Sequence, residues 1–270
     1  MNIPTLLDPR RVSNIALADA YRRYPGPYAI TSGWQADLDK MFPGIMGISY
    51  DSRKYPKDAI GETNESETEL IYRVVTWLEP GTLVEFGTLY GRTTRIMGEQ
   101  SPLEARVLTV DLPDEARQSR IPAHATDEFF MRQAQYSIGA KYRESHAAAK
   151  ITQLRMDATS GDFEESLDNF LKGSKIDFAL LDVSNDYGTS ERAFGIALPR
   201  MSYGGVIMID DYAKPWNSVG LIEFFARKAR EEGYVFYHFS PDPPLGRDAG
   251  ALIFLNVEGA KNRNWRQATG

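Results

Sequence analysis

TLVEFGTLYGRTTRIMGEQSPLEARVLTVD, residues 82–111, settles the architecture of this chain. A short apolar run, Leu83-Val84-Glu85-Phe86, leads into two glycines, Gly87 and Gly91. A helical run from Arg92 to Gln100 follows, then a second apolar run, Arg106 to Val110, that ends on Asp111. The order is strand, glycine loop, helix, strand, acid. Glycines allow tight backbone turns and close approach of a ligand. A helix that begins just after them presents unpaired N–H groups and the positive end of its dipole. Asp111 stands about 20 residues past the second glycine, where such units place the acid that grips a ribose. A glycine pair alone also fits a tight turn in an ordinary α/β domain. The full order favours a nucleotide.

Which nucleotide follows from the loop itself. A dinucleotide loop carries G-x-G-x-x-G, its middle glycine letting pyrophosphate settle on the helix. Here Leu89 occupies that place, and Glu85 precedes the loop. An acid there repels phosphate and suits a ligand with a cationic amino group.

Outward from this stretch the chain alternates strand and helix. Asn64 and Glu67 form a candidate capping box, with Leu70, Ile71, Val74, Val75 and Leu78 on one helical face. A helical region is expected from about Ala125 to Lys141, weakened near its end by Gly139. Strands are expected at Lys150 to Met156, Ile176 to Leu181, Val206 to Ile209 (opened by Gly204-Gly205), Tyr234 to Phe239 and Ala251 to Asn256. Helices are expected at Phe163–Leu171, Glu191–Pro199 and about Asn217–Glu232. Such alternation predicts a Rossmann-like α/β fold: a seven-stranded, mostly parallel sheet with helices on both faces. The last two strands have no helix between them, so the final strand should run antiparallel.

Residues 1–61 read differently, with recurrent prolines, dense aromatics and one candidate helix from Ser13 to about Tyr24. They form either a cap over the main domain or an extension that packs on a neighbouring subunit. The expected division is a cap at 1–61, a main domain at 62–257 and a polar tail at 258–270.

Composition sets limits. The 31 basic and 37 acidic side chains give a net charge of −6, with no basic field to attract nucleic acid. There is no cysteine, which removes disulfides, thiolate nucleophiles and cysteine-based zinc sites together. No signal peptide or membrane span is read, so a cytoplasmic protein is expected. His124, His146 and His238 lie outside every motif and share no metal-ligand spacing.

Acids gather where strands end: Glu85, Asp111, Asp157, Asp182 and the pair Asp210-Asp211. In an open α/β sheet ligands sit at those ends. So many carboxylates on one rim repel one another unless they meet cations or donors. Three of them, Asp182, Asp210 and Asp211, suit a hard divalent cation, magnesium by default. The alternative is that they cap turns and orient loops. Asp157 likewise reads either as a ligand group or as a helix N-cap.

Glu85-Phe86-Gly87-x-x-x-Gly91 followed by Asp111 resembles the first two motifs of class I S-adenosylmethionine-dependent methyltransferases. The phrasing EFGTLYGRTT then VLTVDLP is similar to the bacterial small-molecule and sugar O-methyltransferases, macrocin-type enzymes among them. The resemblance runs from roughly Glu65 to Asn256. It implies that S-adenosylmethionine is held by Glu85, Gly87, Thr88, Gly91, Thr93, Asp111, Leu112, Asp157, Ala158 and Asp182. Within that set Glu85 and Gly87 serve the methionine amino group, Asp111 the ribose and Asp157-Ala158 the adenine edge. It implies a divalent ion on Asp182, Asp210 and Asp211. It also implies catalysis around Asp182, Asn185 and Asp186, with Tyr187, Tyr212 and Trp216 against the acceptor. Relatives often carry a histidine base where Asn185 stands, and an amide takes no proton at neutral pH. Metal activation of the acceptor hydroxyl, proton uptake by Asp182 or Asp186, or loss of catalysis would each accommodate this departure. The expected function is O-methylation of a small molecule by a protein able to form homo-oligomers. The alternatives are an altered methyltransferase that keeps only its cofactor pocket, and an NAD(P)-dependent oxidoreductase.

Overall fold

The computed structural model describes residues 30–31, 39, 42–59, 61–113, 137–183, 187–210, 234–239 and 251–256. The expected helices at 13–24 and 217–232, most of the one at 125–141, and the tail 258–270 lie outside them. The chain divides into two compact units, 44–176 and 1–43 with 177–270.

The first unit opens with a strap, residues 44–64, that carries two short 3-10 turns, Ile45–Gly47 and Ser52–Lys54. Helix α1, Glu65–Leu78, follows. Its start is the expected box: Asn64 accepts from the Glu67 N–H at 2.9 Å, and the Glu67 carboxylate receives the Asn64 side-chain amide rather than its backbone. Then come β2, Thr82–Phe86, and α2, Arg92–Gln100. Strand β3 spans Arg106–Asp111, the short α3 Ala140–Arg143, β4 Ile151–Arg155 and α4 Gly161–Leu171. Strands β2, β3 and β4 are parallel neighbours in register, Glu85 beside Thr109 beside Gln153. Side chains alternate across a strand, so these three share a face. The opposite face carries Phe86, which meets Phe163 of α4 edge-on at 5.3 Å. Both rings are fully buried. Each such burial contributes about 2 kcal/mol.

Two expectations change here. Gly139 does not weaken the end of a helix; it has φ +74° and begins α3, a position where a left-handed residue redirects the chain. Asp157 does not cap α4; Ser160 does, accepting from the Phe163 N–H at 3.1 Å.

The second unit holds the two-residue strand β1, Ile30–Thr31, then β5, Ile176–Leu181, which begins at the boundary. Helix α5 is Tyr187–Ala197, starting four residues before the expected Glu191. Strand β6 is Met201–Ile209, β7 Tyr234–Phe239 and β8 Ala251–Asn256. Gly204-Gly205 lie inside β6 rather than opening it. Strand β8 runs between β6 and β7 and antiparallel to both, while β1 adds parallel to β7. Among the described residues no helix is long and apolar enough to cross a membrane.

Candidate donor loop and acidic strand ends

Strand β2 is buried along its whole length. Among its apolar residues Glu85 is 0% exposed, an expensive place for a carboxylate. Hydroxyl donors surround it. Thr93 and Thr94, from the first turn of α2, donate one to each carboxylate oxygen. Thr109 of β3 donates at 2.6 Å to the oxygen that Thr94 also serves. Thr88 of the loop lies 2.6 Å from the Thr109 hydroxyl. With Thr109 donating to the carboxylate, Thr88 donates to Thr109. Burial still dominates and pushes the Glu85 carboxyl up to about 7, the three hydroxyls pulling it back and the charge of Asp111 adding to the rise. No cation contacts this carboxylate among the described residues.

The loop beyond it is held by its own backbone. The Gly87 N–H donates to the Val110 carbonyl at 2.9 Å and the Gly91 N–H to the Thr88 carbonyl at 2.8 Å. The Leu89 N–H donates to the Asp111 carboxylate at 2.7 Å, whose other oxygen accepts from the Leu112 N–H at 2.7 Å. Leu89 has φ +44°, a left-handed conformation that costs a side-chain-bearing residue about 1–2 kcal/mol. The loop therefore turns as if a glycine stood at Leu89. Strain of this kind gathers at functional sites, where surrounding structure over-determines it.

A corner near α3 grips the same loop from behind. The Gly139 N–H donates to the Leu89 carbonyl and the Lys141 N–H to the Tyr90 carbonyl, both at 2.9 Å. Tyr142 donates to Gln153 Oε1 at 2.9 Å. A Cβ added at Gly91 would lie 2.6 Å from the Tyr142 ring and 3.0 Å from Gly139 Cα. A close approach at Gly91 is thus made by the protein's own Tyr142 and Gly139.

Helix α2 starts after Gly91, which offers no side-chain cap, and a helix start of this kind presents the positive end of its dipole. Arg92, which would oppose that dipole, turns away. Its guanidinium reaches the Tyr55 carbonyl at 2.7 and 2.9 Å, the Thr63 carbonyl at 2.7 Å, Thr68 Oγ1 at 2.8 Å and the Glu65 carboxylate at 2.7 Å. Arg73 similarly reaches the carbonyls of Ile45, Met46 and Ile48. Lys141 pairs with Asp58 and Glu62. The strap is fastened to the elements that frame the loop.

At the neighbouring strand end, the Met156 N–H donates to the Asp111 carbonyl at 2.9 Å, which sets Asp157 beyond β4. The Asp157 carboxylate accepts from the Thr159 N–H at 2.9 Å and the Thr159 hydroxyl at 2.7 Å. Ala158 is buried beside it. Arg155 stands opposite Asp111 in register. In the second unit the Asp210 N–H donates to the Leu181 carbonyl at 3.0 Å, so Asp182 and Asp210 leave β5 and β6 side by side. Both are half-buried oxygen donors, the chemistry a hard divalent cation prefers. Asp211, Asn185, Asp186, Tyr212, Trp216 and the side chain of Tyr187 lie outside the described residues. Among the described residues no three His, Cys, Asp or Glu groups are placed to hold a metal. His146 is on the surface.

Residues 84–212 match the family model described as a methyltransferase domain. A search of curated protein sequences returned no match. Among solved structures, the fold is similar to the O-methyltransferase of Bacillus cereus in complex with SAH, at 15% identity and TM-score 0.53, covering 90% of this chain and 99% of that one. It is also similar to the O-methyltransferase TomG of Streptomyces achromogenes, involved in tomaymycin synthesis and solved with SAM, at 15% identity and TM-score 0.51, covering 92% and 98%. The chain thus shares the α/β fold of these two proteins. Of the residues named from the sequence, Glu85, Thr88, Thr93, Asp111 and Asp157 take part in the hydrogen bonds described here. Thr94, Thr109, Tyr142 and Gln153, which join the same network, were not named from it. The available signal for Thr109 was its break in the apolar run of β3, two residues before Asp111.

Proposed function

We propose that this chain transfers the methyl group of S-adenosylmethionine to a hydroxyl oxygen of a small molecule, a sugar or natural product, in the cytoplasm. One observation carries the reading. The loop N–H groups of Gly87, Leu89 and Gly91 are already bonded within the protein. A dinucleotide loop uses such groups to cradle pyrophosphate. This loop is built around carboxylates instead, and that favours a cationic donor over NAD or NADP.

In this reading residues 62–257 form the catalytic domain on the seven-stranded sheet of its class, the last strand reversed. Asp111 receives the ribose hydroxyls. The uncapped start of α2 receives the carboxylate of the methionine portion. Asp157 and Ala158 border the adenine. Asp182, Asp210 and Asp211 hold a divalent cation, magnesium by default, which supplies Lewis acidity that lowers the pKa of an acceptor hydroxyl. Either that acidity suffices to release the acceptor proton, or Asp182 or Asp186 takes it in place of the metal's help, since Asn185 cannot. Tyr187, Tyr212 and Trp216 wall the acceptor. The rest of the rate comes from holding the acceptor oxygen in line with the departing sulfur.

Thermal shift with S-adenosylmethionine, its demethylated product, NAD and NADP, each with and without magnesium, tests this. Ligand at about 100 times Kd adds roughly 2.7 kcal/mol of stability. The melting temperature should rise with the methyl donor and its product only. A rise with NAD and none with the donor refutes the reading.

A further inference from the structure

The family resemblance puts Glu85 against the amino group of the donor. The geometry points elsewhere. We propose that Glu85 is a positioning residue: through the hydroxyls of Thr88, Thr93, Thr94 and Thr109 its carboxylate fixes the donor loop and the first turn of α2 as one body, without touching the donor. This rests on the donor assignment above.

Three features support it. Glu85 is fully buried, and both oxygens already accept hydroxyl protons. The donors come from two different elements, α2 and β3, so one carboxylate ties two pieces of chain together. Thr88 extends that tie into the loop through Thr109. A carboxylate accepts at both oxygens, whereas the neutral acid must donate from one of them. Gaining a proton therefore makes one oxygen a donor that must find an acceptor, so the pattern of threonine hydroxyl bonds has to rearrange. The loop geometry is linked to the charge on Glu85.

The groups that act on that charge are few. Asp111 on β3 opposes it. Tyr142 on α3 feels it but bonds to Gln153. Arg155 on β4 stands opposite Asp111. The two arginines of α2 are engaged elsewhere, Arg92 with the strap and Arg95 with Glu99. The carboxyl is already pushed up to about 7 in the protein without donor. A cationic donor favours the ionised form, so binding is strengthened as Glu85 loses its proton.

The experiment is calorimetric titration of S-adenosylmethionine into the wild-type protein and Glu85→Gln at pH 6, 7 and 8. Glutamine keeps the shape, removes the charge and cannot accept at its nitrogen. The donor's own amino group titrates near pH 8, but identically for both proteins, so the ratio of their affinities is the readout. One linked proton with a midpoint near 7 makes that ratio grow about tenfold in favour of wild type from pH 6 to 8. Thr109→Val, which removes one donor and keeps the charge, should move the midpoint to higher pH. It also serves as the test if Glu85→Gln does not fold. Equal affinities, or a ratio that is flat with pH together with an unmoved midpoint in Thr109→Val, overturn the inference while leaving the donor assignment intact. Failure of wild type to bind the donor at any pH removes both. A merely structural Glu85 would lower melting temperature and leave the pH profile unchanged.

Discussion

Replacing Gly91 by alanine separates two roles that glycine plays in such loops. Its φ of +83° would cost alanine about 1–2 kcal/mol. The new methyl group would also lie 2.6 Å from the Tyr142 ring and 3.0 Å from Gly139 Cα. Tyr142 is buried and bonded to Gln153, and Gly139 is backbone bonded to Leu89, so neither gives way easily. Overpacking of this kind costs about 1–3 kcal/mol more. Gly44 is a natural control: its φ is +82°, and a Cβ there meets nothing within 4 Å. Urea unfolding should therefore show Gly91→Ala destabilised by about 2–5 kcal/mol and Gly44→Ala by only about 1–2 kcal/mol. In a Tyr142→Ala background the cost at Gly91 should fall toward that of Gly44, because the ring is gone. Equal costs at the two glycines in the wild-type background would refute the packing argument. They would return Gly91 to the role its motif suggests, room for a ligand.

Three further outcomes are expected. Glu85 keeps its proton to about pH 7 in the folded protein against 4.5 unfolded, so the folded state binds more protons between those values and loses stability as pH rises through them, by about 3 kcal/mol. Glu85→Gln removes that slope, so the stability of wild type relative to the variant should fall by this amount from pH 4 to 8 in urea unfolding; parallel curves contradict it. Arg92→Ala strands the Tyr55 and Thr63 carbonyls of the strap and should cost about 3 kcal/mol, with Arg92→Lys recovering only part because one ammonium cannot span the same acceptors. Asp182→Ala should abolish magnesium-dependent turnover while leaving donor-induced thermal stabilisation in place; unchanged turnover removes the metal role.

The strands were legible because each buried one is a nearly unbroken apolar run: Ile176–Leu181 was read from the sequence with the limits it has in the fold. The helix of Glu65–Leu78 was equally plain, since its box and its apolar face agree. Glycines misled where their neighbours decide. Gly204-Gly205 continue β6, and Gly139 starts a helix, because pairing and tertiary contacts override a local preference for breaking. Acid positions at strand ends were readable, but what each carboxylate holds was not. The partners of Glu85 lie 8, 9 and 24 residues away in sequence, on two other elements. No spacing rule foretells that Thr93, Thr94 and Thr109 converge, or that Leu89 takes a glycine's conformation to offer its N–H to Asp111.

Anyone shortening this protein to a minimal catalytic core would be tempted to cut near residue 84, where the family model begins. Arg92 argues against it. Its acceptors on Tyr55, Thr63, Glu65 and Thr68 all precede that cut, so trimming would remove every one of these partners and uncover the face of α2 that they bury. Residues 44–64 belong to the same compact unit as the loop they fasten, so a boundary placed inside or after them would cut that unit.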